Sequence, residues 1–186
     1  MQLSSGPEGT SMPKTRSDRL ITDEYKVIGV LQKNAHENID AIARKCGFSR
    51  QKVWRIIKKL EKEKIIWGYT AICDDDLNNL KHFTLLVKRT TAPVEKKTIN
   101  EILTTRLDDL LPQSNIRIEN IEFVHGSVDG IFSFWADSLI TAKRFCERFN
   151  ERFPQYVASY ELLETIITVR RASIRNPHIK DHIKYL

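Results

Sequence analysis

The sequence predicts an α+β chain in two parts: an N-terminal three-helix (winged) helix-turn-helix unit joined to a C-terminal ferredoxin-like βαββαβ domain. Three observations carry this. Ala43, Gly47 and Val53 stand at offsets of four and ten, the register of two helices crossing at a small residue with a glycine in the turn between them. After residue 64 the apolar pattern leaves the helical period for a run of β-formers. From His82 onward, strand-like and helical segments alternate in the order β-α-β-β-α-β. The expected division is a disordered tail over 1–19, the helix-turn-helix domain over 20–66, an extended linker over 67–81, a second domain over 82–170 and a basic tail over 171–186.

In the first domain, Thr22 is expected to cap a helix running to about Lys33, with Tyr25, Ile28, Val30 and Leu31 inside. Asn38 offers a cap for a helix from Ile39 to Cys46. Ser49, following Gly47-Phe48, caps a third helix that starts at Arg50, and Ile42, Val53, Ile56, Ile57 and Leu60 make the shared seam. With Val53 at the centre of the buried arc, a turn of 100° per residue leaves Gln51, Arg55, Lys58 and Lys62 outside and Trp54 on the flank.

That outer face carries chemistry suited to a duplex. Gln can pair with adenine, Arg can fork onto guanine, and Lys or a capped helix N-terminus can hold phosphate. Residues 44–64 hold nine Lys and Arg against two Glu, a net of +7 in a chain whose total is +6, so the rest of the chain sums to −1. A basic amphipathic helix is by default a solvated face. Here the Ala/Gly/Val register, the serine cap and the charge fall on one unit, and the expectation is double-stranded DNA. The candidate contacts are Ser49, Arg50, Gln51, Lys52, Trp54, Arg55, Lys58 and Lys59, with Gln51 and Arg55 reading bases.

Ile65 to Ile72 reads as an extended segment leaving the first domain, ended by Asp74-Asp75-Asp76, a polar linker that lacks the glycine and distal glutamate of a calcium loop. His82 to Lys88 alternates as a strand. Val94 to Leu111 is predicted to be helical, with Ile99, Ile102, Leu103, Leu107, Leu110 and Leu111 as its stripe. Ile116 to His125 is strand-like, and the parity change between Ile118 and Ile121 places a bulge near Glu119-Asn120. After the turn 126–130 come a strand from Ile131 to Ala136, a helix capped by Ser138 with Leu139, Ala142, Cys146, Phe149 and Phe153 inward, and a long strand from Val157 to Val169.

Two helices cover only one face of such a sheet. The third and fourth strands are apolar at both parities, so a sheet-to-sheet homodimer is expected. The tail predicts a short amphipathic helix with Ile179, Ile183 and Leu186, and His178 and His182 have no third partner for a metal. Cys46, Cys73 and Cys146 form no CxxC pair and are expected as buried thiols. No catalytic set, cofactor motif or metal spacing is recognised, and no stretch approaches the ~20 apolar residues of a membrane span. A cytoplasmic, non-enzymatic protein is expected.

The motif Ser49…Val53…Arg55-Ile56…Leu60-Glu61, followed by Ile66-Trp67-Gly68-Tyr69, resembles the Lrp/AsnC (feast/famine) transcription regulators over residues 20–170. The second half is similar to that family's RAM domain, with Gly126…Asp129 in the strand-to-strand turn. The resemblance implies homodimers built by the RAM sheets, further assembled into octamers, that bind pseudo-palindromic DNA and answer to an amino acid or related small molecule. By the same resemblance His125, Gly126 and Asp129 are candidate effector residues, beside the plainer reading of a turn that needs only Gly and Asp. Lys64 stands where the family has a glycine, so the third helix is expected to end without the usual left-handed residue. Two alternatives remain: a sirohaem-decarboxylase-like enzyme on the same fold, for which the second half offers only His82 and His125, and a non-specific architectural DNA-binding protein.

Overall fold

The computed structural model describes residues 21–74, 79–104 and 107–181. The expected N-terminal tail, Asp75 and Asp76, and His182, Ile183 and Leu186 lie outside them. The chain forms two compact units, Met1–Ala71 and Ile72–Leu186.

In the first unit α1 (Thr22–Leu31), α2 (Ile39–Cys46) and α3 (Arg50–Lys62) start where local chemistry supplies orphan backbone donors with acceptors. The Asn38 side chain accepts the Ala41 N–H at 2.8 Å, and Ser49 Oγ accepts the Lys52 N–H at 3.3 Å. At α1 the expectation is corrected: Thr22 is the first helical residue, Ile21 occupies the cap position, and the helix ends at Leu31. The Ile21 N–H donates to the Glu24 carboxylate at 3.1 Å. Gly47 turns the chain between α2 and α3 at φ +70°, where a residue with a Cβ would be strained, and the Phe48 N–H closes the turn on the Ala43 carbonyl at 2.9 Å.

The core of this unit is Val27, Ile42, Ala43, Val53, Ile56 and Leu60. Tyr25 is exposed and Val27 is fully buried, because α1 turns residues 24, 27, 28 and 31 inward. The end of α3 also differs from expectation. Lys64 itself takes the left-handed conformation at φ +56°, its N–H donating to the Glu61 carbonyl while the Ile65 N–H reaches the Leu60 carbonyl at 3.0 Å. This is a Schellman closure without its usual glycine, and Ile65 packs back on the Leu60 cluster.

The second unit contains β1 (Lys81–Arg89), α4 (Lys96–Thr104), a 3₁₀ turn (Leu107–Leu110), β2 (Arg117–Phe123), β3 (Gly130–Ala136), α5 (Leu139–Arg152), β4 (Val157–Glu164) and a small hairpin of β5 (Arg170–Arg171) and β6 (Ile174–Arg175). The sheet is antiparallel in the order β2-β3-β1-β4, the ferredoxin-like arrangement. Phe83, Leu85, Val87, Phe132 and Phe134 fill its helix-covered face against α5. Gly130 permits that packing, since a Cβ there would stand 2.9 Å from the Phe132 ring.

The predicted bulge in β2 is present, as a register shift between Ile118 and Asn120. Several boundaries move. The helix expected over 94–111 is α4 followed by the separate 3₁₀ turn, and Ile99 and Leu103 of its stripe are exposed. On α5 Phe145 is fully buried alongside the expected Ala142 and Cys146, and Leu139 in the first turn is exposed. β4 stops at Glu164, and residues 170–175 form a hairpin turned by Ala172 and Ser173, both at positive φ. Cys146 is buried, which pushes its thiol up to about 12, whereas Cys73 is exposed.

The open face is less apolar than the sequence suggests. Trp135 lies on it by register with His82 and Arg117, yet it is only 4% exposed. The Arg171 guanidinium lies 4.5 Å over the indole, Arg117 lies 5.3 Å away, and His82 meets it edge-on at 5.1 Å. What the strands leave there is Leu86 and Ile131, half-buried, and exposed Leu163 among polar neighbours.

Lys64→Gly is expected to stabilise the first unit by about 0.5–1 kcal/mol, because glycine adopts the left-handed cap without steric cost. Denaturant unfolding of the full chain checks this.

Candidate nucleic-acid interface and effector loop

The outer face of α3 is built by the packing of its inner one. With Val53, Ile56 and Leu60 in the core, Gln51, Arg55, Lys58 and Lys62 are exposed and Trp54 is 51% exposed. The Ser49 cap leaves the first N–H groups of α3 directed outward, where the helix dipole favours an anion. Arg55 makes no ion pair among the described residues. It is the outward guanidinium with its full donor fork available.

The eight residues singled out for DNA divide by what they already touch. Lys59 reaches Glu24 at 2.6 Å, and Glu24 is only 1% exposed. That hydrogen bond, more than any neighbouring charge, raises the Lys59 pKa. Lys52 pairs with Asp23 at 2.7 Å and lies 4.1 Å over the Phe48 ring. These two lysines tie α3 to α1 and to the turn. Arg50 meets Asp40 at 3.2 Å and Lys58 meets Glu61 at 2.8 Å, both as exposed pairs that water and salt weaken.

One contact had no sequence signal. The Tyr69 hydroxyl donates to the Glu61 carboxylate at 3.2 Å, tying the segment after α3 back to that helix and leaving Trp67, 87% exposed, beside it. Lys58 first, and then Tyr69, hold the Glu61 carboxyl below the usual carboxylate range.

The second unit places the loop residues unequally. His125 and Gly126 are exposed, and a Cβ at Gly126 would meet nothing within 4 Å. Asp129 is occupied. Its carboxylate accepts the Arg89 N–H at 2.9 Å and lies 3.7 Å from Lys88 Nζ. Its own N–H donates to the Val87 carbonyl at 2.9 Å, and its carbonyl accepts the Val124 N–H at 3.0 Å. Asp129 thus staples the β2–β3 turn to the end of β1. His82, the other histidine considered, sits at the Trp135 end of the sheet between Thr165 at 2.7 Å and Glu119 at 3.0 Å, while His125 follows β2 at the opposite end.

Residues 24–66 match the family of winged helix-turn-helix DNA-binding domains. A curated relative, an uncharacterised HTH-type transcriptional regulator of Bacillus subtilis, YugG, is 36% identical over 56 residues, 30% of this chain. The chain spans 34% of the length of that relative. Among solved structures, an AsnC family transcriptional regulator from Agrobacterium tumefaciens superposes with a TM-score of 0.60 at 17% identity, covering 88% of this chain and 99% of that one. The chain has the two-domain fold of the Lrp/AsnC regulators. The leucine response regulatory protein LrpA of Mycobacterium tuberculosis shares that Lrp/AsnC fold at a TM-score of 0.61 and 14% identity, covering 86% and 99%. So does a transcriptional regulator of Neisseria meningitidis solved with L-Met, at 0.60 and 15%, covering 86% and 97%.

Within this Lrp/AsnC fold the Asp129 staple has an acid signature. The Arg89 N–H first, then the charges of Lys88 and Arg89, hold its carboxyl below the ordinary carboxylate value. A depressed pKa in the folded state contributes stability that is complete above the unfolded carboxylate pKa and lost as pH falls through the folded one. Asp129→Asn is therefore expected to destabilise the chain at pH 7 and to shrink the difference from the parent below about pH 4. Thermal melts at several pH values check it.

Proposed function

We propose that the chain is a DNA-binding transcription regulator of the Lrp/AsnC type, reading the major groove with the outer face of α3 and working in the cytoplasm as a homodimer or higher assembly. The single observation that carries this reading is the exposed Gln51, Trp54 and Arg55 row, free of acidic partners among the described residues, on a helix whose inner face holds a matched DNA-binding domain together. Gln51 and Arg55 are the base readers; Trp54 supplies apolar contact on the flank. Arg50, Lys58 and the capped N-terminus at Ser49 hold phosphates. Lys52 and Lys59 act mainly through α1, since both are committed to acidic partners there.

Homodimerisation through the open sheet face around Leu86, Ile131 and Leu163 pairs two such helices on a pseudo-palindromic site. An amino acid or related small molecule acting at the His125–Asp129 loop is the proposed input, supported by the L-Met complex of the Neisseria regulator with the same fold. No helix among the described residues is long and apolar enough to cross a membrane.

Binding to a footprinted site is expected to weaken steeply with salt. Arg55→Ala should cost about 1–3 kcal/mol on the preferred sequence and relax base preference at one position, while Lys58→Ala weakens all sequences alike. Fluorescence anisotropy on matched and scrambled duplexes reads both. Unchanged binding by Arg55→Ala would remove α3 as the reading helix. Leu163→Glu is expected to shift the chain toward monomer in light scattering and to weaken DNA binding at least about tenfold, as loss of avidity requires.

A further inference from the structure

The helix-covered side of the second unit is incompletely filled. A cavity of about 310 Å³ lies between α4 and the sheet, floored by Val87, Phe132, Phe149 and Phe153 and roofed by Ile102 and Leu103. Its volume is at the lower end for small-ligand sites, which limits an occupant to about a dozen non-hydrogen atoms. The wall is almost wholly apolar, and charge enters at the rim, from Arg89 and Asp129.

Those two charges are not equivalent. Asp129 already accepts the Arg89 N–H and has Lys88 at 3.7 Å, so its carboxylate is compensated within the fold. The Arg89 side chain gives one N–H to the Ala92 carbonyl at 3.3 Å, and although its charge acts on the Asp129 carboxylate, no ion pair within 4 Å uses its guanidinium among the described residues. A guanidinium with spare donors beside an apolar cavity recognises a carboxylate in fork geometry.

We propose that this cavity is a ligand site within a single chain for a compact apolar carboxylic acid, its carboxylate on Arg89 and its hydrocarbon body against Val87, Ile102, Phe132 and Phe149. The site adjoins the His125–Asp129 loop and shares Asp129 with it at the rim, but it extends away under α4, and neither His125 nor Gly126 lines it. It also differs in ligand class: an α-ammonium at the rim would meet the Arg89 cation and an aspartate already engaged. The inference does not depend on DNA being the partner of the first unit.

The test is calorimetric titration of the full chain, without DNA, using 3-phenylpropionate, 3-phenylpropan-1-ol and phenylalanine. The acid is expected to bind saturably and about tenfold or more tighter than the alcohol, with phenylalanine weaker than the acid. Arg89→Gln, a surface change that leaves the core intact, should bring the acid down to the level of the alcohol. Ile102→Trp, which fills the cavity, should abolish binding of both. No saturable binding of the acid to the parent chain would make the cavity a packing void and end the proposal. Undiminished binding by Arg89→Gln, or tighter binding of phenylalanine than of the acid, would also overturn it, the latter moving the ligand to the loop.

Discussion

The contact between Glu24 and Lys59 sets the orientation on which the first unit depends. A carboxylate taken out of water costs several kcal/mol unless partners replace its hydration. Glu24 is buried with the Ile21 N–H on one oxygen and the Lys59 ammonium on the other. Rotating α3 by one residue would withdraw Lys59, leave that carboxylate under-compensated and bring a charged residue toward the core. The helix is therefore pinned about its axis by an ionic contact as well as by Val53, Ile56 and Leu60. The outward direction of Gln51 and Arg55 is a consequence. The positive charge of α3, uniform in the sequence, is thereby divided into lysines that hold the helix and side chains left for a partner.

How much of this was legible depended on range. Asn38, Ser49, Gly47 and Ser138 each act on backbone groups within five residues, and each occupies the role its spacing predicts. The β2 bulge was legible because a parity change is a local fact about a strand. Tyr25 and Val27 are both apolar, and only the packing of α1 chooses Val27 for the core. Leu103 and Leu139 satisfy the period of their helices, yet lie exposed in this chain. Lys64 violated a composition rule, and the fold holds it in the left-handed region because the Leu60 and Glu61 carbonyls still need donors. The outer row of α3 was readable as exposed; the commitment of Lys52 and Lys59 to α1 was not, since it joins residues nearly thirty or more positions apart.

The open sheet face shows the same limit on a larger scale. Alternation places Trp135 there and makes the face look strongly apolar. The bulge brings Glu119 to the same face, beside Asn120, where it meets His82 at 3.0 Å and Arg171 at 3.5 Å. Arg171 then lies over the indole, with Thr168 holding one of its N–H groups at 2.9 Å. A defect in strand pairing, a buried tryptophan and the hairpin that follows β4 are thus one construction. It closes the Trp135 end of the face with polar chemistry and leaves any self-association to the Leu86, Ile131 and Leu163 strip.

The opposite end of the sheet is built differently. There the β2–β3 turn is stapled by Asp129, and nothing comparable to Arg171 covers the neighbouring groups among the described residues. α4 contributes no fully buried residue of its own, although Ile102 packs on the core. A nine-residue helix held by so few apolar contacts is at the low end of local stability, because short helices draw their stability from packing rather than propensity. The hydrogen-bonded Asp129 staple and the lightly packed α4 meet around one cavity, so a helix with few core contacts adjoins a turn tied to β1. An occupant that adds apolar contacts under Ile102 and Leu103 would act on α4 without having to break a strand hydrogen bond.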